Sequence, residues 1–337
     1  MKENEGVFTF NPWEYTVPEQ GEKLQYLSIG LTAACNFNCI FCSKADSAKE
    51  QWDPVLLEEV LQEARELGLQ KVEFTGGEPL LFPGIMELIG ELKDRGITSL
   101  LVTNGSLIEP EIAAKLAREE AMVAVSLTTL QEEKFNRMTG TRGNLPRVLE
   151  GIEMLKTAGL GREKPPLLAV QAVASRDNIE EIPQLEQWAA EQGALFILNR
   201  PIPVGAMDQE ALISPGELRE LLEPGARVPF SLNSPCNRLR TGCYIGSDGL
   251  VRPCPCIELF AGSVREKGLT EIWEGSSVLK VSRNINSLLE GSCGQCGERN
   301  RCYGCRAVAY AVFKKLQAPD PGCFRYEKNQ YDGGGRQ

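Results

Sequence analysis

Residues 24–42 read Leu24-Gln-Tyr-Leu-Ser-Ile-Gly-Leu-Thr32-Ala-Ala-Cys35-Asn-Phe-Asn-Cys39-Ile-Phe-Cys42. The stretch Leu24–Thr32 is rich in apolar and β-branched residues and suits a strand buried on both faces. Directly after it stand three cysteines at C-x3-C-x2-C spacing. Three thiolates cannot saturate a four-iron cubane, so one iron would keep an open position for a small ligand. The logic is that of a catalytic zinc site with three protein ligands. A structural zinc site wants a fourth Cys or His nearby, and none follows. Three buried or zinc-binding cysteines are the alternative reading.

The surrounding chain is an ordinary soluble sequence with two unusual counts. Its 337 residues suffice for two domains, with 42% hydrophobic and 24% charged residues. It has 12 cysteines and no histidine. Any metal must then be held mainly by thiolate, and soft thiolates select zinc or iron–sulfur clusters. No apolar run approaches the length of a bilayer span, and the N-terminus lacks the layout of a secretion signal. The expected location is the cytoplasm, where many cysteines mean metal ligands more often than disulfides. A net charge of −10 with scattered basic residues argues against nucleic acid as a partner.

Downstream, short apolar runs alternate with amphipathic helices. The strands are expected at Leu24–Thr32, Lys71–Thr75, Ser99–Thr103, Val123–Thr128, Leu167–Val173 and Leu195–Asn199. The helices are expected at Pro54–Leu67, Gly84–Arg95, Glu109–Glu119, Pro146–Ala158 and Ile179–Gln192. Gly68, Gly96, Gly159 and Gly193 suit left-handed helix ends. Six such repeats with right-handed crossovers predict an α/β fold on a parallel sheet, open or curled into part of a barrel. Functional residues should then collect at the strand C-termini. The texture changes after residue 200, and from Ser231 the chain is rich in Cys and Gly with only short periodic pieces. Such a segment needs staples, here expected to be metal clusters.

The triplet resembles the hallmark of the radical S-adenosylmethionine (SAM) superfamily, whose fold is a partial (β/α)6 TIM-type barrel. Other pieces, over roughly residues 24–200, follow in order. The second strand ends in Thr75-Gly76-Gly77-Glu78-Pro79, like the family's loop for the methionine end of the cofactor. The third ends in Thr103-Asn104-Gly105, and the fourth carries Val125-Ser126-Leu127. The resemblance makes Cys35, Cys39 and Cys42 the ligands of the catalytic cluster. Gly76, Gly77, Glu78 and Asn104 would belong to the cofactor site. Ser126 would reach its ribose or carboxylate, and Phe41 would pack near its adenine. Arg142 is either a partner of the methionine carboxylate or a surface arginine. Thr128 stands where the family often has Asp.

The later cysteines resemble the SPASM extension of such enzymes, which houses two auxiliary clusters. Carried over by position, the first takes Cys236, Cys243, Cys254 and Cys305, and the second Cys293, Cys296, Cys302 and Cys323. The implied cofactors are three [4Fe-4S] clusters and SAM. Only Tyr303 and Gly304 separate Cys302 from Cys305, a variant that looks like the one in haem-pathway, mycofactocin and quinone-cofactor enzymes. Cys256 is left over: an inert thiol, a ligand in place of Cys243, or a hydrogen donor to a substrate radical. A zinc ribbon built from the two C-x2-C pairs is the alternative for this region.

The expected organisation is an N-terminal extension (1–23), the barrel (24–200), a linker (201–230), the auxiliary-cluster domain (231–325) and a disordered tail (326–337). The resemblance implies cleavage of SAM to a 5′-deoxyadenosyl radical that modifies a peptide or protein side chain. An external electron donor such as flavodoxin or ferredoxin is implied. Residues 1–23 are too few for the family's usual recognition module, so a peptide is expected either to be presented by a separate peptide-recognition protein or to be held directly by the barrel. The alternatives are decarboxylation or remodelling of a tetrapyrrole or other small molecule, and a non-catalytic electron-transfer protein. Arg200, Arg238 and Arg240 are the candidates for contacting a tetrapyrrole carboxylate. No membrane partner is expected.

Overall fold

The first five expected repeats form as strands running into helices, and the sixth strand forms as well. The computed structural model describes residues 23–43, 51–162, 166–207, 238–299 and 302–323. The strands are β1 (Tyr26–Thr32), β2 (Lys71–Gly76), β3 (Thr98–Thr103), β4 (Met122–Ser126), β5 (Leu168–Val173) and β6 (Leu195–Asn199). Helix α1 (Pro54–Glu66) shows how local sequence fixes an element. Asp53 Oδ1 accepts from the amides of Val55 and Leu56, Pro54 opens the first turn, and Leu57, Val60, Leu61 and Ala64 form the buried stripe. Then come α2 (Ile85–Asp94), α3 (Pro110–Arg118), α4 (Glu132–Thr139), α5 (Leu145–Ala158) and α6 (Ile182–Glu191). The four glycines expected at helix ends have φ of 104°, 73°, 111° and 72°.

Two features depart from expectation. Helix α4 is an extra element, so β4 and β5 are joined by two helices. Its sequence is strongly polar, with only Phe135, Met138 and Thr139 buried, and so carries little hydrophobic signal. The C-terminal region also adds strands to the same sheet. After α7 (Arg238–Thr241), β7 (Gly242–Ile245) pairs in parallel with β1, and β8 (Leu250–Arg252) and β9 (Gly262–Ser263) follow antiparallel. The sheet order is β6-β5-β4-β3-β2-β1-β7-β8-β9. The remaining short helices are α8 (Leu269–Gly275), α9 (Ser277–Arg283), α10 (Ile285–Leu288), α11 (Gly291–Gln295) and α12 (Arg306–Phe313). Residues 1–22, most of the expected linker, the tail and Cys236 lie outside the described residues.

The two sheet faces carry different cores. Leu27, Ile29, Val72, Phe74, Leu101, Val123, Val125 and Val170 face the helices in one large apolar core. The opposite, concave face holds Leu100, Met122, Ala124 and Ala169 in a small apolar cluster. A separate core in the C-terminal region has Leu239, Ile257, Ile285, Tyr303, Ala307 and Leu316 buried.

Candidate functional site

The cysteine loop is clamped from both sides. On one side lies the glycine loop after β2. The Gly77 amide donates to Thr32 O at 2.7 Å and the Glu78 amide to Ala34 O at 2.8 Å. A Cβ on Gly77 would stand 2.1 Å from Ala34 O, and one on Gly76 (φ 131°) 2.4 Å from Thr32 O. The paired glycines thus let two backbones meet, and what they approach is the loop that carries Cys35.

On the other side lies the end of α4. Thr139 O accepts from the Asn38 amide at 2.9 Å and Met138 O from the Ile40 amide at 3.0 Å. Gly140, at φ 64°, leaves room for Asn38 O. The Phe37 ring meets Phe135 edge-on, with centroids 6.0 Å apart. Cys42 O accepts from the Ala206 amide at 2.9 Å. The hidden helix α4 is therefore part of the loop's frame, with Phe135 and Gly140 as supporting positions that motif reading overlooks.

Burial raises the Cys35 and Cys39 thiols, Cys39 to about 12, and the neighbouring cysteines raise them further. Thiols raised in this way stay protonated until a metal takes the thiolate. Among the described residues no three Cys, Asp or Glu groups converge as ligands of a single ion. Cubane thiolates bind different irons and stand further apart, so the triplet fits a four-iron cluster by donor type and number.

The other expected cofactor residues separate into two roles. Glu78 is fully buried; Thr103 Oγ1 and the Leu80 amide donate to its Oε1, and the Asn104 amide to its Oε2. Its carboxylate ties the end of β2 to the end of β3. Asn104 donates to Asn36 Oδ1 at 2.8 Å and accepts from Ser106, and its side chain also reaches Cys35. Asn36 and Ser106 escaped the sequence reading. Ser126, at the end of β4, accepts from Gln171 at 3.0 Å. Arg142 is exposed.

Inside the concave face is a cavity of about 470 Å³. Phe41 and Ser43 border it at the cysteine loop, and Cys243, Cys254, Cys256, Cys302 and Cys305 border it on the C-terminal side. Arg200 and Arg238 line it and Arg240 does not. Register explains the lining. Tyr26 and Ser28 of β1, Lys71 and Glu73 of β2, and Tyr244 of β7 all point inward, because Tyr26 pairs with Lys71 and Ser28 with both Glu73 and Tyr244. The signal for these residues was available: polar side chains at alternate positions of strands otherwise apolar.

The same register separates the C-terminal cysteines. Cys243 pairs with Leu27 and is 2% exposed within the large core. Cys254, Cys256 and Cys305 instead pack on the C-terminal core. Buried Asp320 organises the cysteines there. Its Oδ2 accepts from the Cys305 amide at 2.7 Å and pairs with Arg200 at 2.8 Å, while its own amide donates to Cys293 Sγ at 3.3 Å. Arg306 also reaches Cys293 Sγ.

Comparison with known proteins agrees with this geometry. Residues 29–189 match the model of the radical SAM superfamily, and residues 236–297 match an iron–sulfur cluster-binding domain, SPASM. The AdoMet-dependent heme synthase of Methanosarcina barkeri is 28% identical, covering 87% of this chain and 94% of that one. The mycofactocin maturase MftC of Mycobacterium tuberculosis is 26% identical, covering 87% and 81%. The GTP 3′,8-cyclase of Rhizobium meliloti is 32% identical over 69% of each chain. Among solved structures, Streptococcus suis SuiB bound to precursor peptide SuiA superposes with a TM-score of 0.71 at 20% identity, covering 90% of this chain and 76% of SuiB. The chain belongs to the radical SAM superfamily and is an enzyme with a C-terminal SPASM domain. Among the described residues no helix is long and apolar enough to cross a membrane.

Proposed function

We propose that this enzyme modifies a side chain of a peptide or protein held in the concave cavity. The observation that carries the reading is that one cavity borders both the Cys35–Cys42 loop and the C-terminal cysteines. A substrate there lies between the site that generates a radical and groups able to accept an electron. When bound, the cluster and SAM supply a 5′-deoxyadenosyl radical that removes a hydrogen atom from the substrate. The chain's own residues do the rest. Cys35, Cys39 and Cys42 hold the cluster, and Gly76 and Gly77 let the cofactor loop lock onto theirs. Glu78 fixes the ends of β2 and β3, and Phe41 lines the path to the cavity. The proposed complement is three four-iron clusters, about twelve irons per chain. Likeness to a maturase and to a peptide-bound structure supports a peptide substrate.

A second reading, remodelling of a tetrapyrrole or another small acid, draws on the heme-synthase relative and on Arg200 and Arg238 at the cavity.

Extracts of cells grown in heavy water, split by size into peptide and small-molecule fractions, test the choice. Transfer of deuterium from the peptide fraction into 5′-deoxyadenosine is expected; transfer from the small-molecule fraction alone favours the second reading. Replacing Cys35, Cys39 and Cys42 together by Ala should remove about four irons and abolish 5′-deoxyadenosine release. Release by that variant under dithionite would overturn the assignment.

A further inference from the structure

Three neighbouring strands are apolar except for one residue each. Strand β4 reads Met-Val-Ala-Val-Ser126, β5 reads Leu-Ala-Val-Gln171-Ala-Val, and β6 reads Leu-Phe-Ile-Leu-Asn199. The three polar side chains meet. Ser126 lies directly opposite Gln171, and Asn199 lies two residues along from Ile197, the partner of Gln171. Gln171 and Asn199 line the cavity, and Ser126 shares the face of Met122 and Ala124, which line it too. All three are half-buried. An apolar residue at any of these positions would continue the strand's pattern and leave no polar group to satisfy.

The hydrogen bonds among the three run one way. Asn199 Nδ2 donates to Gln171 Oε1 at 3.4 Å, and Gln171 Nε2 donates to Ser126 Oγ at 3.0 Å. The two ends of one amide group are coupled, so giving the glutamine oxygen to Asn199 gives its nitrogen to Ser126. A hydroxyl whose oxygen accepts in this way has its own hydrogen to give. The row therefore finishes in a donor at the C-terminal end of β4. Strand β3, whose end leads into Asn104, is the next strand in the sheet, and β2 with its glycine loop follows.

We propose that Gln171 and Asn199 are positioning residues that fix the Ser126 hydroxyl as a donor to an oxygen of bound SAM, in its ribose or its methionine carboxylate. The proposal rests on the reading of Ser126 as a cofactor residue and adds what sets the direction of its hydrogen. Neither amide has to touch the cofactor. A hydroxyl already aimed gives up less freedom on binding than one that rotates. Donors in series also polarise one another, which strengthens the last of them.

Equilibrium dialysis of SAM against the reconstituted, unreduced holoenzyme tests this without radical chemistry. Its failure is thus distinct from failure of the radical assignment, which 5′-deoxyadenosine release reports. Ser126→Ala should weaken binding by at least about threefold, the worth of one hydrogen bond. The decisive variant is Gln171→Glu. It keeps the shape and still accepts from Asn199, but its carboxylate has no N–H to give. Ser126 must then donate to it, and the hydrogen turns away from the ligand. Affinity should again fall by at least about threefold. A double-mutant cycle separates this from a direct effect of the new charge: with Ser126→Ala present, Gln171→Glu should cost at most about twofold more. Melting temperature and iron content identify variants that fail to fold. A smaller loss in either single variant overturns the proposal, as does a larger added loss in the double variant. If Gln171→Glu does not fold, Asn199→Asp takes its place. An aspartate only accepts, so the Gln171 amide turns over and presents its oxygen to Ser126. A folded Asn199→Asp protein that binds SAM within about threefold of the wild type overturns the proposal equally.

Discussion

The two cysteine regions are built on opposite terms. The Cys35–Cys42 loop sits on a barrel with an extensive core and is pinned by backbone hydrogen bonds to β1, the glycine loop, α4 and Ala206. The C-terminal cysteines sit on a core with six fully buried hydrophobic residues, among helices of four to eight residues. Helices so short gain little stability from their own hydrogen bonds. The first region can hold its shape while awaiting a cofactor. The second depends on cross-links, whether clusters or buried polar ties such as Asp320. One fold thus pairs a preorganised catalytic loop with a region that its ligands help to fold.

Gly77→Val puts the strongest strain on that comparison. The space needed by any side chain is occupied by the Ala33–Ala34 backbone, not by open room for a ligand. The variant should therefore displace the cysteine loop, losing about four irons as well as 5′-deoxyadenosine release. Full iron with normal release would show the loop to be less rigid than its hydrogen bonds imply.

Asp320→Ala attacks the second region. It leaves Arg200 without its carboxylate partner and frees the Cys305 amide from its tie. Breaking one side of a buried ion pair costs about 3–5 kcal/mol, read as a lower denaturation midpoint. Breaking the exposed Lys315–Glu290 pair should change stability by at most about 1 kcal/mol. Equal midpoints for the two variants would remove Asp320 from its organising role.

The smallest effect discriminates between two thiols. Both thiols border the cavity, but Cys256 packs with Cys254 and Cys305 on the C-terminal core while Cys243 is buried in the large core, so Cys256 is the better placed cluster ligand. Cys256→Ala should lose about four irons. Cys243→Ala should keep its iron and lose about 1 kcal/mol of stability, as small core deletions do. The reverse pattern would restore Cys243 to the ligand set. Full iron with normal turnover in Cys256→Ala would leave Cys256 inert.

The sequence displayed the six barrel strands because each is a short apolar run between glycine-ended helices, a pattern that local composition fixes. It concealed α4, whose residues are mostly polar: that helix is held by Phe135 against Phe37 and by its end against the cysteine loop, contacts that are not local. Glu78 was legible as a motif residue but not in its role, since a carboxylate aimed at a ligand and one buried among protein donors look alike in a sequence.

Residue type and spacing by themselves determined the parallel βα architecture, the thiolate-only donor set of a chain without histidine, and the order of motifs at strand ends. These are properties of neighbours along the chain. Tertiary structure alone decided that β7 joins β1 and thereby buries Cys243 in the large core and brings Tyr244 to the cavity. It alone gathered Lys71, Glu73 and Arg238 on one side of the cavity. The physical reason is register. A strand's inward and outward faces alternate residue by residue, and which face is which is set by a pairing partner more than two hundred residues away.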